Sequence, residues 1–567
     1  MKLHHQYLQL HSRFGARNMD EHTGVTLDEL ASVLGCTHRN ALTVIRRMEQ
    51  LEWIEWRSQR GRGARSVLRF RIPAEEIAAQ SMTQAIRRKD VRLAIEDLRR
   101  HAGASSLQGR LQGWLLSYFG HHAEVRSDRQ IDSLRLPIRQ PMQTIDPLKM
   151  NLLAESFIAS HVFDGLIRRA GDTGTVVPGL AHAWESNEDR TVWTFFLRKG
   201  VLFHNGSLMT ADDVAYTFER LAGRSRRSLY SSIFQRISDV AVLNLHTLRM
   251  TLKEPCELFL PSLCTTRASI VPRYLDQRGE SEFGQRPIGT GPFKVTVFQD
   301  SLCVLESFPH YHQGQAHLDR IEIVHVPWEL NENQTEVIEG LSPFHVIPGQ
   351  PVSPEGTWIE MHSHVSVRKF ITCNTRKSGP LQDPQVRAQI MGILSQVVAV
   401  ESTSADDRLR SPRLPLCIAT ITPYQPDADR VARQLEAAGY ACRVQSSSVE
   451  EFKGDIRLQA DLIVFSLLRD QDEQLRRYDL YQTIAEHVEL RRQSDIQRQL
   501  RAVAREQDSR RRDALLSRAE TEMITANELA ILSEKPLQTA FLPSVRGVSF
   551  NSQGWVDLRN LWFPPKL

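Results

Sequence analysis

Two short helices set end to end over residues 26–51 constrain this chain more than any other feature. Thr26-Leu27-Asp28-Glu29 has the form of a capping box, in which the Thr26 hydroxyl takes the Glu29 amide and the Glu29 carboxylate reaches back. Leu27, Leu30, Val33 and Leu34 then recur at helical spacing. Gly35 ends this helix, because glycine tolerates a positive φ at a helix terminus. Thr37 caps a second helix over 38–50. Ala41, Val44, Ile45, Met48 and Leu51 face inward on it, and His38, Arg39, Asn40, Thr43, Arg46 and Arg47 face outward. Two helices joined by so tight a turn form a helix-turn-helix. Residues 3–14 supply the supporting helix.

A wing completes the motif. Trp53-Ile54-Glu55-Trp56 is strand-like, and residues 67–72 alternate with period two. Between them lies a tip of glycine and arginine, and from Arg57 to Arg71 there are six arginines and no acidic residue. Such a surface suits phosphates or a minor groove. The ordered set predicts a DNA-binding head. Its candidate contacts are Thr37, His38, Arg39, Asn40, Thr43, Arg46 and Arg47 on the second helix, with Arg60, Arg62 and Arg65 on the hairpin. Arg39 can grip a guanine edge bidentately and Asn40 an adenine edge. Trp53 and Trp56 are read as packing the wing onto the helices.

The charge balance agrees with a local footprint. Net charge is only +4 over 567 residues, so any affinity for DNA must come from concentrated charge. The apolar share of 41% and charged share of 24% are those of a globular protein too long for one ordinary domain. The seven cysteines are scattered and make no CxxC pair, so neither a zinc cage nor a disulfide framework is indicated. No stretch approaches the roughly 18 apolar residues that span a bilayer. His4, His5, His11, Arg13 and Arg17 break any secretory apolar core at the start. Val33-Leu34-Gly35-Cys36 resembles a lipoprotein cleavage site, but Asp28 and Glu29 precede it and no long apolar run does. A cytoplasmic chain without membrane contact is expected.

Pro73 is read as closing the head at 1–73. Residues 74–130 are read as a helical connector or a homodimer surface, with Ile77, Ile86, Ile95 and Leu98 on one helix and an apolar segment at 107–119. From about 131 the character changes. Strand-like 134–138 leads to Thr144-Ile145-Asp146-Pro147, then to a helix ending in Val162-Phe163-Asp164-Gly165-Leu166. Residues 191–206 read as strand, tight turn and strand, and Thr210 caps a helix with Asp212 and Asp213 in its first turn.

This block resembles the family 5 extracellular solute-binding proteins, which include oligopeptide, dipeptide and nickel receptors. The resemblance continues at Gly289-Thr290-Gly291-Pro292-Phe293, at Tyr311-His312-Gln313-Gly314, at Asn374-Thr375, and at Gly554-Trp555-Val556-Asp557-Leu558. With the head included, the chain resembles the SgrR-type transcriptional regulators. The resemblance implies a winged helix-turn-helix head followed by a two-lobed α/β periplasmic-binding-protein-like (type II) domain at 131–567 that closes on a small solute. In peptide-binding relatives a Gly-Trp pair followed by an aspartate holds the peptide amine. Here Asp470 fits that aspartate, while Ser466-Leu467 replaces Gly-Trp. Arg469 faces an anionic ligand such as a sugar phosphate or is a surface arginine. Asn374 lines the cleft or caps a turn. The partners so implied are double-stranded promoter DNA and a small solute, a sugar phosphate, peptide or similar.

No catalytic constellation competes with this reading. There is no Gly-x-Ser-x-Gly elbow, P-loop or His-Glu-x-x-His. The groups His4-His5, His121-His122 and His362-Ser363-His364 lack further ligands at metal spacing. No catalytic residue, cofactor or metal ligand is therefore assigned. The alternatives are an exported receptor of a peptide- or nickel-type ABC transporter, an enzyme on a receptor-like fold, and an RNA reader.

Overall fold

The computed structural model describes residues 2–15, 23–59, 65–74, 76–77, 80, 119–126, 129–138, 142–150, 152–170, 174–223, 230–273, 280–325, 346–347, 359–395, 415–469, 472–541, 545–551 and 554–564. The chain divides into two compact units. One holds 1–120 with 137–139 and 324–329, and the other holds 121–136, 140–323 and 330–567.

The first unit contains the head: α1 (Lys2–Phe14), β1 (Thr23–Val25), α2 (Leu27–Val33), α3 (His38–Gln50), β2 (Ile54–Arg57) and β3 (Ser66–Phe70). The strands pair antiparallel in the order β1-β3-β2. The register Ile54↔Phe70 and Trp56↔Leu68 turns these four side chains to the helices. Tyr7, Leu8 and Leu10 of α1, Leu30 of α2, and Val44, Ile45 and Met48 of α3 meet Trp53, Ile54, Leu68 and Phe70 in one core. Trp53 stands edge-on to Tyr7 at 5.7 Å, and Trp56 packs against the same core.

Three features of the head depart from the sequence reading. β1 has no counterpart in it. Leu51 is 48% exposed rather than inward, because it is the C-cap of α3 and the chain reverses at once through Glu52, whose φ is 58°. The head also does not close at Pro73. Ile77 is fully buried in its core, in a turn where the Pro73 carbonyl accepts from the amides of Glu76 and Ile77. The remainder of the expected connector up to 118 lies outside the described residues apart from Gln80.

The second unit is a two-lobed α/β body. A four-stranded antiparallel sheet runs in the order Ile237–Asn244, Thr247–Leu252, Val192–Leu197, Ala181–Ser186. Its Trp193, Phe195 and Leu197 alternate inward under the helix Ala211–Ala222. Thr210 precedes this helix, and its amide and hydroxyl both donate to Asp213. The second strand expected near 201–206 is reduced to a single bridge, Leu202↔Leu208, because the chain turns on itself at Phe203–Ser207. A five-stranded sheet is ordered Phe293–Gln299, Leu302–Ser307, Arg320–His325, Arg129–Ile138, Gly120–Arg126. Its last strand occupies part of the stretch that the sequence reading assigns to a helical connector.

The largest sheet has six strands, ordered Val346–Ile347, Leu529–Phe541, Ile359–Cys373, Leu462–Arg469, Leu416–Ile421, Cys442–Ser447. Ile359–Cys373 is antiparallel to both of its neighbours, whereas the last three strands are mutually parallel. Helix Gln425–Ala437 covers the parallel part, and helix Pro384–Ser395 packs beside it and against Leu529–Phe541. Helices Glu473–Ala485, Leu490–Arg505 and Ser509–Thr525 bring Tyr478, Tyr481, Leu500 and Leu516 into one core with Phe195, Phe218, Phe234 and Phe259. All seven cysteines are free thiols. Among the described residues no helix is long and apolar enough to cross a membrane.

Candidate nucleic-acid interface and solute-binding lobes

The local chemistry of the head works as its sequence dictates. The Thr26 amide donates to Glu29 Oε2 at 2.8 Å and the Glu29 amide donates to the Thr26 hydroxyl at 3.2 Å. Hydrogen bonds from the Thr26 amide and the Thr26 side chain hold the Glu29 carboxyl below the usual carboxylate range, with Arg65 adding to the effect. Gly35 takes the left-handed conformation, φ 57°, that reverses the chain between α2 and α3. The Thr37 hydroxyl accepts from the Asn40 amide at 3.4 Å, so α3 starts where expected. Of the outward residues expected on this helix, His38, Arg39, Asn40, Arg46 and Arg47 are exposed, and Thr37 and Thr43 lie beside them. The face is not wholly uncommitted. The Thr43 hydroxyl donates to the Arg39 carbonyl at 2.9 Å, and His38 Nε2 lies 2.6 Å from Asp28 Oδ1. Glu49 fixes α3 to the hairpin by accepting the Trp56 amide at 3.3 Å.

The hairpin's charge is partly balanced from outside its acid-free segment. Glu55 gathers Arg57 at 2.8 Å, Arg71 at 3.5 Å and Arg69 at 3.9 Å, and Arg65 lies 3.5 Å from Glu29. Arg57 is the main reason that the Glu55 carboxyl sits below its ordinary range. Arg60 and Arg62, at the wing tip, lie outside the described residues. The role of Glu55 escapes a sequence reading because cross-strand partners depend on register, here Glu55↔Arg69, which sequence distance conceals.

In the body, the motifs that carry the family resemblance converge on one another. Asp164 accepts from the Tyr311 hydroxyl at 3.1 Å and the Thr290 hydroxyl at 3.0 Å. The Gly291 amide donates to the Val162 carbonyl at 2.9 Å. A Cβ on Gly289 would stand 2.0 Å from that carbonyl oxygen, so glycine is required by close approach. His204 lies between Gly289 and Gly291: its Nδ1 accepts from the Gly289 amide at 3.3 Å and its Nε2 donates to the Gly291 carbonyl at 2.9 Å. Trp555 is fully buried beside Phe157 at 5.8 Å, and the Leu558 amide donates to His161 Nε2 at 3.1 Å. Burial pulls the His204 pKa down to about 4 and lowers that of His161 too. These motifs hydrogen-bond to one another and to the backbone around them.

The expected solute contacts fare unevenly. Asn374 is buried, and its Nδ2 donates to the carbonyls of Leu458 at 2.7 Å and Ala460 at 2.9 Å while its Oδ1 accepts the Lys377 amide at 3.1 Å. Its amide is thus engaged with the backbone. Arg469 ends the strand Leu462–Arg469, opposite Ser366, and Asp470 lies outside the described residues. Among the described residues no group of three or more His, Cys, Asp or Glu is placed to hold a metal ion.

Comparison with known proteins adds to this geometry. Residues 2–118 match the family described as sugar transport-related sRNA regulator N-term, and residues 175–388 match the middle domain of bacterial extracellular solute-binding proteins, family 5. The uncharacterized protein YhjP of Bacillus subtilis is 26% identical over 99% of this chain and 100% of its own. The HTH-type transcriptional regulator SgrR of Yersinia enterocolitica is 23% identical over 100% of this chain and 99% of its own. The body has the fold of the periplasmic binding protein DppA from Helicobacter pylori in complex with the peptide STSA, with TM-score 0.61 and 18% identity over 76% of this chain and 98% of that one. One polypeptide thus matches both an SgrR N-terminal domain and a family 5 solute-binding domain, and over its full length it is similar to an SgrR regulator.

Proposed function

We propose that this chain is a cytoplasmic one-component transcriptional regulator whose head binds promoter DNA and whose body binds a small solute between its lobes. One observation carries the reading. α3 turns Arg39, Asn40, Arg46 and Arg47 to water, directly after a capped N-terminus, in a helix-turn-helix whose apolar side is filled. In a docked complex the start of such a helix enters the major groove, so Arg39 and Asn40 read base edges, and Arg46, Arg47 and Arg65 grip phosphates. Solute binding favours the closed body and so shifts the affinity of the head. Coupling of this kind is typically about 1–3 kcal/mol. The full-length relationship to a transcriptional regulator supports the reading.

Binding of the full chain to duplexes taken from around its own gene, across a salt series, tests it. Arg39→Ala is expected to cost about 1–3 kcal/mol on the preferred duplex and little on others. Arg47→Ala is expected to weaken all duplexes alike and to lower the slope of log K against log salt by about 0.9. Equal affinity for every duplex, unchanged by Arg39→Ala, or a preference for RNA over DNA, overturns the proposal.

A further inference from the structure

The hairpin of the head has two faces, and its core uses one of them. Alternation turns Ile54, Trp56, Leu68 and Phe70 toward the helices, so Glu55, Arg57, Val67 and Arg69 point away from them. Arg71 follows on the same outward side, where it meets Glu55. The side chains of Arg57 and Arg71 are 74% and 51% exposed.

Glu55 stands at the centre of this outward face. Arg57 Nε donates to its Oε1 at 3.0 Å, and Arg57 Nη2 lies 2.8 Å from the same oxygen. Arg71 Nη2 donates to Oε2 at 3.5 Å, and Arg69 Nη1 lies 3.9 Å from it. Both carboxylate oxygens are thus engaged by guanidinium groups. Among the described residues neither Arg57 nor Arg71 has a second carboxylate partner.

The other acids of the head have backbone duties. Glu29 closes the capping box of α2, and Glu49 accepts the Trp56 amide. Among the described residues the Glu55 carboxylate accepts from side-chain guanidinium groups alone, so it caps no helix and closes no turn. Ion pairs this exposed add little to stability. What Glu55 changes is the charge that the outward face shows. Without it, Arg57, Arg69 and Arg71 form a patch of planar donors suited to phosphate oxygens. A duplex lying on that patch has the sheet between it and α3, so it cannot also be read by Arg39 and Asn40. Discrimination is gained as well by penalising the wrong arrangement as by rewarding the right one.

We propose that Glu55 keeps the outward sheet face of the head from holding a phosphate backbone, and so confines duplex DNA to the face on which α3 stands. The second clause rests on the reading of the head as a promoter reader. The test uses the full chain as wild type, Glu55→Gln and Glu55→Asp. Their binding to the preferred duplex and to a scrambled duplex of equal length is measured across a salt series, together with the salt needed to elute each from immobilised heparin. Glu55→Gln is expected to bind the scrambled duplex about tenfold more tightly near 0.1 M salt, with a slope of log K against log salt steeper by about 1.8, the worth of two phosphates. Its affinity for the preferred duplex is expected to change by less than about twofold, so selectivity falls. Glu55→Asp, which keeps the charge, is expected to stay near wild type. Adding Arg57→Gln and Arg71→Gln to Glu55→Gln is expected to restore the wild-type affinity for the scrambled duplex.

Melting temperatures identify variants that fold. A folded Glu55→Gln chain with wild-type affinity and slope on the scrambled duplex overturns the proposal, and so does one with weaker affinity, which would make Glu55 a support for phosphate contacts. Should Glu55→Gln melt early, Arg57→Gln alone decides. It is expected to leave the wild-type slope unchanged, and a slope shallower by about 0.9 overturns the proposal. Heparin keeps the two readings apart. A wild-type chain with no preference among duplexes loses the promoter reading, while later elution of Glu55→Gln from heparin retains the role of Glu55 on the outward face.

Discussion

On α3 of the head, Arg39, Asn40, Arg46 and Arg47 stand exposed to water. In the body, Asp164, Thr290, Tyr311 and His204 hold their polar atoms against protein partners. Both sets are conspicuous in the sequence, yet they do opposite things. A surface meant for a partner leaves its donors and acceptors outward on a rigid element. A seam that maintains a fold closes its polar groups on its own backbone, since an unmet buried group costs about 1–3 kcal/mol. A residue that stands out in a motif is therefore not thereby a ligand contact, and burial with full hydrogen bonding separates the two cases.

The largest effect that can break this contrast is acid. Burial lowers the pKa of His161, His204, His312 and His487, the second to about 4 and the last to about 3. The folded body keeps these rings neutral while the unfolded chain takes up protons below about pH 6.5, so stability is whole above neutrality and falls as the pH drops from about 6.5 toward 4. Between pH 7.5 and 5, His204 and His487 together are expected to remove about 4 kcal/mol. Urea midpoints across that range measure the loss, and a flat profile would contradict the burial of these rings.

Glycine substitution comes next. Gly289→Ala drives a methyl into the Val162 carbonyl and is expected to cost about 3 kcal/mol. Gly35→Ala meets nothing within 4 Å and is expected to cost only about 1 kcal/mol, the strain of its positive φ. Chemical denaturation of the two variants compares them, and similar costs would erase the distinction between closed seam and open turn. The smallest expected effect is at the start of α3, where Thr37→Ala removes a cap worth about 1 kcal/mol. Amide exchange at Asn40 should accelerate, while exchange around Gly291 should not.

Legibility differs by region for a physical reason. The head is built from local signals. The Thr26 box, Gly35 and Thr37 each act within four residues, and α2 and α3 lie where those signals put them. Misreadings there come from single residues with two meanings. Pro73 reads as a stop, but proline is equally suited to begin a helical turn, and this one does. β1 is three residues long and has no alternation to detect. In the body, individual strands such as Val192–Leu197 are visible in the sequence, but the order of the six-stranded sheet is not, because it pairs Phe370 with Ile531 and Phe465 across the chain. The ion pair of Arg220 with the fully buried Asp146 is invisible for the same reason, since its members stand 74 residues apart.

The burial of Ile77 has a practical corollary for anyone transplanting the head onto a different sensor. A fusion point placed at the proline would strip a whole aliphatic side chain from the middle of the donor module, leaving a void that typically costs about 2–5 kcal/mol. The cut belongs downstream of Ile77, and chimaeras joined on either side of it should differ in melting temperature before any promoter is added.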